Sequence, residues 1–371
     1  MNALDSLSRK RIDRRFMNNR FYVKMRIALL TYFASSSYGA TLQTYATIKI
    51  LKMLGHEVEL VNYVIPEPRV SLLIRWLLVP KMHKLKKFRE KYFDCISEPY
   101  PELGDLQKKP PKADAYLIGS DQTWNPDISR EKAKGFFLDF GSDKVKRITY
   151  AASIGKNDWT SSQWISDEEV RRLLSRFDKI LIREKSGQRI LKEKFGIDSE
   201  QVIDPVLLFK DYPEITGPIQ ETDELVTFKF KKSTEFYEKM RCLSASLDVR
   251  ARVLGSLHRE KGMLCSYPEG MELWVKRLAS AKYVVTDSFH GAVVSILYHR
   301  PFLVYMARPE RFARLKDLLT MLGLEERIAS MEESNDALLH KMNKAINWNT
   351  IDSILEKKRE ESIKLLKEEL I

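Results

Sequence analysis

Residues 282–305 read KYVVTDSFHGAVVSILYHRPFLVY, and the fold is decided there. Tyr283, Val284 and Val285 form an apolar, β-branched run too short for a helix, which predicts a buried strand. Thr286, Asp287 and Ser288 then bring the short polar side chains that start a helix, and Gly291 lets backbone come close to a ligand. Over 292–298 apolar residues recur at helical spacing, and Pro301 restarts the chain as a second strand over 302–305. Strand, polar turn, helix and strand make the unit of an open α/β sheet, whose ligands lie at the carboxyl edge of the strands. Free N–H groups at the helix start favour an anion, and His290 stands beside them with a proton to move.

Working outward, residues 26–31 (RIALLT) predict a first strand. The polar turn 34–39 and a helix over 40–54, stopped by Gly55, follow it, and 57–63 is the next strand. Ser37, Tyr38 and Gly39 stand at that helix entrance, as in a nucleotide-type half-domain, but the glycine fingerprint of a dinucleotide site is absent. Residues 115–118 form a strand that runs into Gly119, Ser120, Asp121, Gln122, Thr123, Trp124 and Asn125. Short donors and acceptors with one aromatic platform suit a sugar; the plain alternative is an Asx-type turn. Residues 148–154 are another strand, ending in Ser153. Arg183 and Glu184 lie where the strand 179–182 hands over to a helix, a carboxyl-edge position, although a surface ion pair would look the same. Val202 and Ile203 precede Asp204 and Pro205.

Residues 211–224, with Pro213, Gly217 and Pro218, read as a linker. A second α/β unit follows, with strands over 225–230 and 252–254 and helices over 234–247 and 270–280. Helices are also expected over 308–322 and 350–370. The implied organisation is a basic arm (1–24), a first Rossmann-like domain (25–212), a second (213–345), and a C-terminal helix (346–371) that crosses back to the first.

Lys and Arg number 63 against 51 Asp and Glu, a net charge of +12 that attracts something anionic. The basic residues are dispersed, without interleaved aromatics, so nucleic-acid binding is not expected. Cys95, Cys242 and Cys265 are isolated, which fits a reducing cytoplasm and indicates neither a disulfide framework nor a metal site. No run approaches the roughly 20 apolar residues of a membrane span. Residues 70–93 join an apolar half containing Trp76 to a basic half. They read as a surface helix with a solvated basic face or as a segment resting peripherally on anionic lipid.

The stretches YGATLQTYA (38–46), GSDQTWN (119–125), ITYAASIG (148–155), IREKSG (182–187) and VTDSFHG (285–291), in this order and spacing, resemble the polysaccharide pyruvyl transferase family. The resemblance runs from Met25 to about residue 327. It implies two Rossmann-like domains facing a cleft, similar to the GT-B glycosyltransferase fold. It also implies transfer of the enolpyruvyl unit of phosphoenolpyruvate, a co-substrate, to a sugar, with neither metal nor cofactor. The acceptor would be a lipid-linked saccharide at the cytoplasmic face of the membrane, and the product a pyruvate ketal of cell-surface polysaccharide.

Such chemistry needs an acid near C3 of the donor, a base for the attacking hydroxyl, and cations or N–H groups for two anionic ends. His290 is the candidate acid or acid/base. On the donor side stand Arg183, Asp287, Ser288, Gly291 and Arg308; on the acceptor side stand Tyr38, Gly39, Gln43, Ser120, Asp121, Gln122, Asn125 and Ser153. Some members carry an arginine two positions before the motif histidine. Here that position is Ser288, so Arg183, Arg308 or Arg311 must supply the charge. Two other readings are carried alongside: a GT-B glycosyltransferase with a nucleotide-sugar donor, and a non-catalytic binder of anionic membrane or nucleic acid.

Overall fold

The structure is a computed structural model that describes residues 23–65, 72–229, 233–257, 259–306 and 312–370, with side chains from residue 78 onward in the segment that starts at 72. The expected arm (1–22 of it), Arg308, Arg311 and the side chain of Trp76 lie outside the described residues.

The first domain is a parallel sheet of β1 (Arg26–Leu30), β2 (Glu57–Asn62), β3 (Ile96–Pro99), β4 (Ala115–Ile118) and β5 (Lys146–Thr149), in the order β3-β2-β1-β4-β5. Four of the five β1 residues are buried, as a central parallel strand covered on both faces requires. The short parallel pair β6 (Leu181–Ile182) and β7 (Glu200–Gln201) extends the sheet beyond β5 through bridges from Ile148 to Lys179 and Ala152 to Ile182. The second domain repeats the plan. Its strands are β8 (Thr222–Phe228), β9 (Arg250–Leu254), β10 (Leu264–Ser266), β11 (Ala281–Thr286), β12 (Phe302–Tyr305) and β13 (Ile328–Ala329), ordered β10-β9-β8-β11-β12-β13. Strand order reverses between β1 and β4 in one sheet and between β8 and β11 in the other. Loops leaving those strands are where such sheets hold ligands.

Helices α1 (Tyr38–Met53), α2 (Leu72–Tyr92), α3 (Met271–Ser280), α4 (Phe289–Leu297), α5 (Ala313–Leu322) and α6 (Trp348–Glu369) build the domain boundary. Ser37 caps α1, its hydroxyl accepting from the Ala40 N–H. α1 is buried from Tyr38 to Ile48, all round rather than on one stripe, because α3 and α4 of the second domain cover the side its own sheet leaves open. One apolar core therefore passes through the boundary, from Leu29 and Leu42 to Trp274, Val284 and Phe289. α6 adds Ile351, Leu355 and Leu366 to it. It is tied to the first domain by Arg359 Nε donating to the Leu207 carbonyl (2.7 Å) and by the Ile203 N–H donating to Ser362 Oγ (3.1 Å).

Two readings of the chain need correction here. β8 begins at Thr222, inside the stretch read as linker, because its polar start is paired: Glu224 is buried and grips Arg252 at 2.6 and 2.7 Å. The basic half of α2 is more than a solvated face. Leu85 and Phe88 are buried, the Lys81 ammonium lies 4.3 Å above the Tyr38 ring, and Lys84 donates to the Pro268 carbonyl (3.3 Å). No helix among the described residues is long and apolar enough to cross a membrane.

Candidate functional site

After β4 the chain turns through Asp121, whose φ of +76° is left-handed without being glycine, and after β5 through Ala151 at +54°. Such backbone is held only where its surroundings over-determine it. Here Asp121 bridges Ala152 and Ala152 bridges Ile182, so the carboxyl ends of β4, β5 and β6 are drawn together. Ser120, Ser153, Arg183 and Glu184, all buried, thereby meet with the partly exposed Asp121 in one cluster.

Glu184 is fixed through one oxygen: Oε1 accepts from Ser153 Oγ and from the Ile154 and Gly155 N–H groups, each at 2.9 Å. Oε2 has no partner. Arg183 is buried, with Nη1 donating to Asp204 Oδ2 (2.7 Å) and Ser120 Oγ (3.3 Å) and Nη2 3.8 Å from Asp121 Oδ1. Burial alone would lower its pKa, but the carboxylates of Asp204, Asp121 and Glu184 hold it above the ordinary value.

Asp204 is the hub. It caps the short helix Pro205–Phe209, with Oδ1 accepting from the Val206 N–H (2.9 Å). Oδ2 takes Arg183, Ser120 (3.2 Å) and, from the other domain, His290, whose Nε2 lies 3.5 Å away. Burial pushes this carboxyl up, yet His290 and Arg183 overcome it and hold the group well below the usual range. At that distance and alignment the His290 contact is not a hydrogen bond, and Nε2 keeps no hydrogen-bond partner. The opposite edge of the imidazole rests on Gly39: a Cβ there would lie 2.1 Å from Nδ1. The histidine of one domain is thus set between Asp204 and Gly39 of the other.

His290 occupies the first turn of α4. Ser288 caps that helix by accepting from the Gly291 N–H (3.3 Å), and its own N–H donates to Thr286 Oγ1 (3.0 Å). Gly291 is glycine for packing, since a Cβ would meet Thr286 Oγ1 at 2.6 Å. Asp287 acts electrostatically on buried Lys229, at the end of β8. Arg314, on α5, completes the cluster, its Nη1 3.4 Å from Asp121 Oδ1. A pocket opens beside these groups, lined by Arg183, Asp204, Phe289, Arg314, Leu318, Met321 and Lys358 among others.

The structure thus brings together His290, Arg183, Ser120 and Asp121, with Gly39 against the imidazole and Ser153 behind Glu184. Other expected members stand elsewhere. Tyr38 is buried, stacked on Trp274 at 5.0 Å with its hydroxyl donating to the Glu269 carbonyl (2.7 Å), so it joins the domains and faces no cleft. Gln43 is wholly buried, its amide donating to Thr31 Oγ1 and the Ala40 carbonyl at 2.9 Å. Asn125 caps the helix Pro126–Ser129 and donates to Gln122 Oε1 (3.0 Å). Trp124 is no platform: its indole N–H donates to the Phe136 carbonyl (3.0 Å) and its ring stacks on Phe137 in the core. Glu184 was placed at a carboxyl edge from sequence but given no role, and neither Asp204 nor Arg314 was given one. Asp204-Pro205 signals a helix cap, and nothing local marks Arg314.

The fold is shared with solved structures of GT-B type. Arabidopsis thaliana UGT89C1 superposes with a TM-score of 0.56 at 10% identity, over 94% of this chain and 100% of that one. UDP-GlcNAc 2-epimerase from Neisseria meningitidis, bound to UDP-GlcNAc, superposes with a TM-score of 0.56 at 10% identity, over 93% of this chain and 99% of its own. At such identity the likeness is one of fold alone. No curated protein sequence matches the chain. The sequence model described as polysaccharide pyruvyl transferase matches residues 38–306, a span that holds every member of the charge cluster except Arg314. The chain belongs to the polysaccharide pyruvyl transferase family.

Proposed function

We propose that the chain moves the enolpyruvyl unit of phosphoenolpyruvate onto a sugar and closes it as a ketal, with a lipid-linked saccharide at the cytoplasmic membrane face as acceptor. One hydroxyl adds to C2 of the donor while C3 gains a proton and becomes a methyl group. The C2–O bond to phosphate then breaks, and a second hydroxyl adds to C2 and loses its proton. Two hydroxyls and the donor thus yield one ketal and one phosphate.

His290 serves as the acid that delivers the C3 proton. Asp204 orients the ring and balances the charge it carries when protonated. Arg183 and the open start of α4 receive the donor's anionic ends. Asp121 and Gln122, the members of their loop left partly exposed, stand on the acceptor side. The observation that carries the reading is the meeting of His290 and Arg183, from different domains, on one oxygen of Asp204. An imidazole and a guanidinium that share one carboxylate oxygen in a buried site support the pairing of an acid with an anion-binding cation.

The test is phosphate release from phosphoenolpyruvate over a panel of lipid-linked and pyrophosphate-linked sugars, with wild type and His290→Ala side by side. Acceptor-dependent release, lost by about a hundredfold or more in the variant, is expected of an acid/base group. Turnover of a nucleotide sugar with no use of phosphoenolpyruvate would replace this reading with a glycosyltransferase.

A further inference from the structure

Three guanidinium nitrogens without a hydrogen-bond partner lie at the domain boundary: Nε and Nη2 of Arg183 and Nε of Arg314. Buried guanidinium N–H groups without acceptors are costly, and native interiors retain few of them. The two guanidiniums come from different domains and flank one ring, their central carbons 4.6 and 5.9 Å from the Phe289 centroid. Like charges this close repel. Burial first, and the Arg183 charge second, push Arg314 down to about 10. An anion between the two would relieve that repulsion and satisfy the open donors together.

The surrounding carboxylates are mostly occupied. Asp204 takes the Val206 N–H, Arg183, Ser120 and His290; Glu184 Oε1 takes two N–H groups and Ser153; Asp121 Oδ1 takes the Gln122 N–H (2.9 Å) and Arg314. Glu184 Oε2 lies 3.8 Å from Arg183 Nε and Asp121 Oδ1 3.8 Å from Nη2, both beyond hydrogen-bond distance, so these N–H groups and Arg314 Nε keep their capacity for a ligand. Two guanidiniums face three carboxylates; on the pocket side the start of α4 and Lys358 add positive potential.

We infer that Arg183 and Arg314 form a two-guanidinium clamp for one anionic group of the donor, its phosphate or its carboxylate, and that the clamp is complete only where the two domains meet. The identity of the ligand rests on the phosphoenolpyruvate reading. The role of Arg314 does not, since that residue lies beyond the family match at 38–306.

The full chain is titrated with phosphoenolpyruvate, and separately with inorganic phosphate, as wild type, Arg314→Lys and Arg314→Gln. Thermal shift and equilibrium binding are the readouts. Both anions raise the wild-type Tm, because each binds only the folded state. Arg314→Gln weakens phosphoenolpyruvate binding at least tenfold, and Arg314→Lys falls between, keeping the charge but losing the planar fork. Wild-type affinity in Arg314→Gln overturns the clamp and leaves the pyruvyl reading standing. If Arg314→Gln does not fold, Arg314→Lys decides, and wild-type affinity there overturns the clamp. Wild type that ignores phosphoenolpyruvate yet gains Arg314-dependent stability from phosphate keeps the clamp and removes the pyruvyl reading. No response to either anion overturns both.

Discussion

Gly39→Ala should disable the protein without unfolding it. The added Cβ would lie 2.1 Å from His290 Nδ1, 2.7 Å from Cγ and 3.0 Å from Cε1. Ordinary contact begins near 3.4 Å, so the imidazole must retreat by more than 1 Å. Asp204 stands 3.5 Å beyond Nε2, so the ring cannot simply back off and must turn out of its place. Displacement of a reacting group by about 1 Å costs on the order of a hundredfold, or about 2.7 kcal/mol in the barrier. Helix propensity runs the other way: alanine within α1 is worth about 1 kcal/mol over glycine, which offsets part of the strain. The assay is kcat/KM for acceptor-dependent phosphate release, beside a melting curve. A hundredfold loss of activity with a Tm within a few degrees of wild type is expected. Activity within threefold of wild type, with the fold intact, would refute the claim that this glycine sets the histidine.

Asp204→Asn leaves the buried Arg183 without its closest counter-charge and should cost about 3–5 kcal/mol at neutral pH. The folded Asp204 carboxyl titrates below its unfolded value of about 3.9, so its stabilisation is present above that pH and lost as pH falls through the folded pKa. The wild-type Tm should therefore fall more steeply below about pH 4 than that of the variant, which calorimetry across pH 3–8 would read. Trp124→Ala should remove about 3–5 kcal/mol in urea unfolding, as a buried stacked indole predicts, while KM for the sugar in the folded fraction stays unchanged. A raised KM with little loss of stability would restore the platform reading of that loop.

The alternation of strand, polar turn and helix was legible because each half carries it locally: apolar β-branched runs, a Ser cap, then helical spacing. His290 and Arg183 were legible for the same reason, since both follow strand ends, where such sheets place ligands. Asp204 was not, because its partners are Arg183, 21 residues back, and a histidine in the other domain. Tyr38 and Trp124 misled in one way. An aromatic among polar residues reads as exposed, yet each turns inward and satisfies its polar atom on a buried carbonyl. Gly39 had a motif but no visible purpose until α1 was seen to lie against the imidazole.

The return of α6 to the first domain has a consequence for how the molecule is made. Domains ordinarily fold in turn as they emerge during synthesis. Here the buried Ile203 N–H meets its acceptor, Ser362, only after the whole second domain has been synthesised. The same is true of the Leu207 carbonyl, which waits for Arg359. Asp204 lies between those two positions, so the residue that joins Arg183 to His290 is buttressed by a helix that emerges only after the second domain.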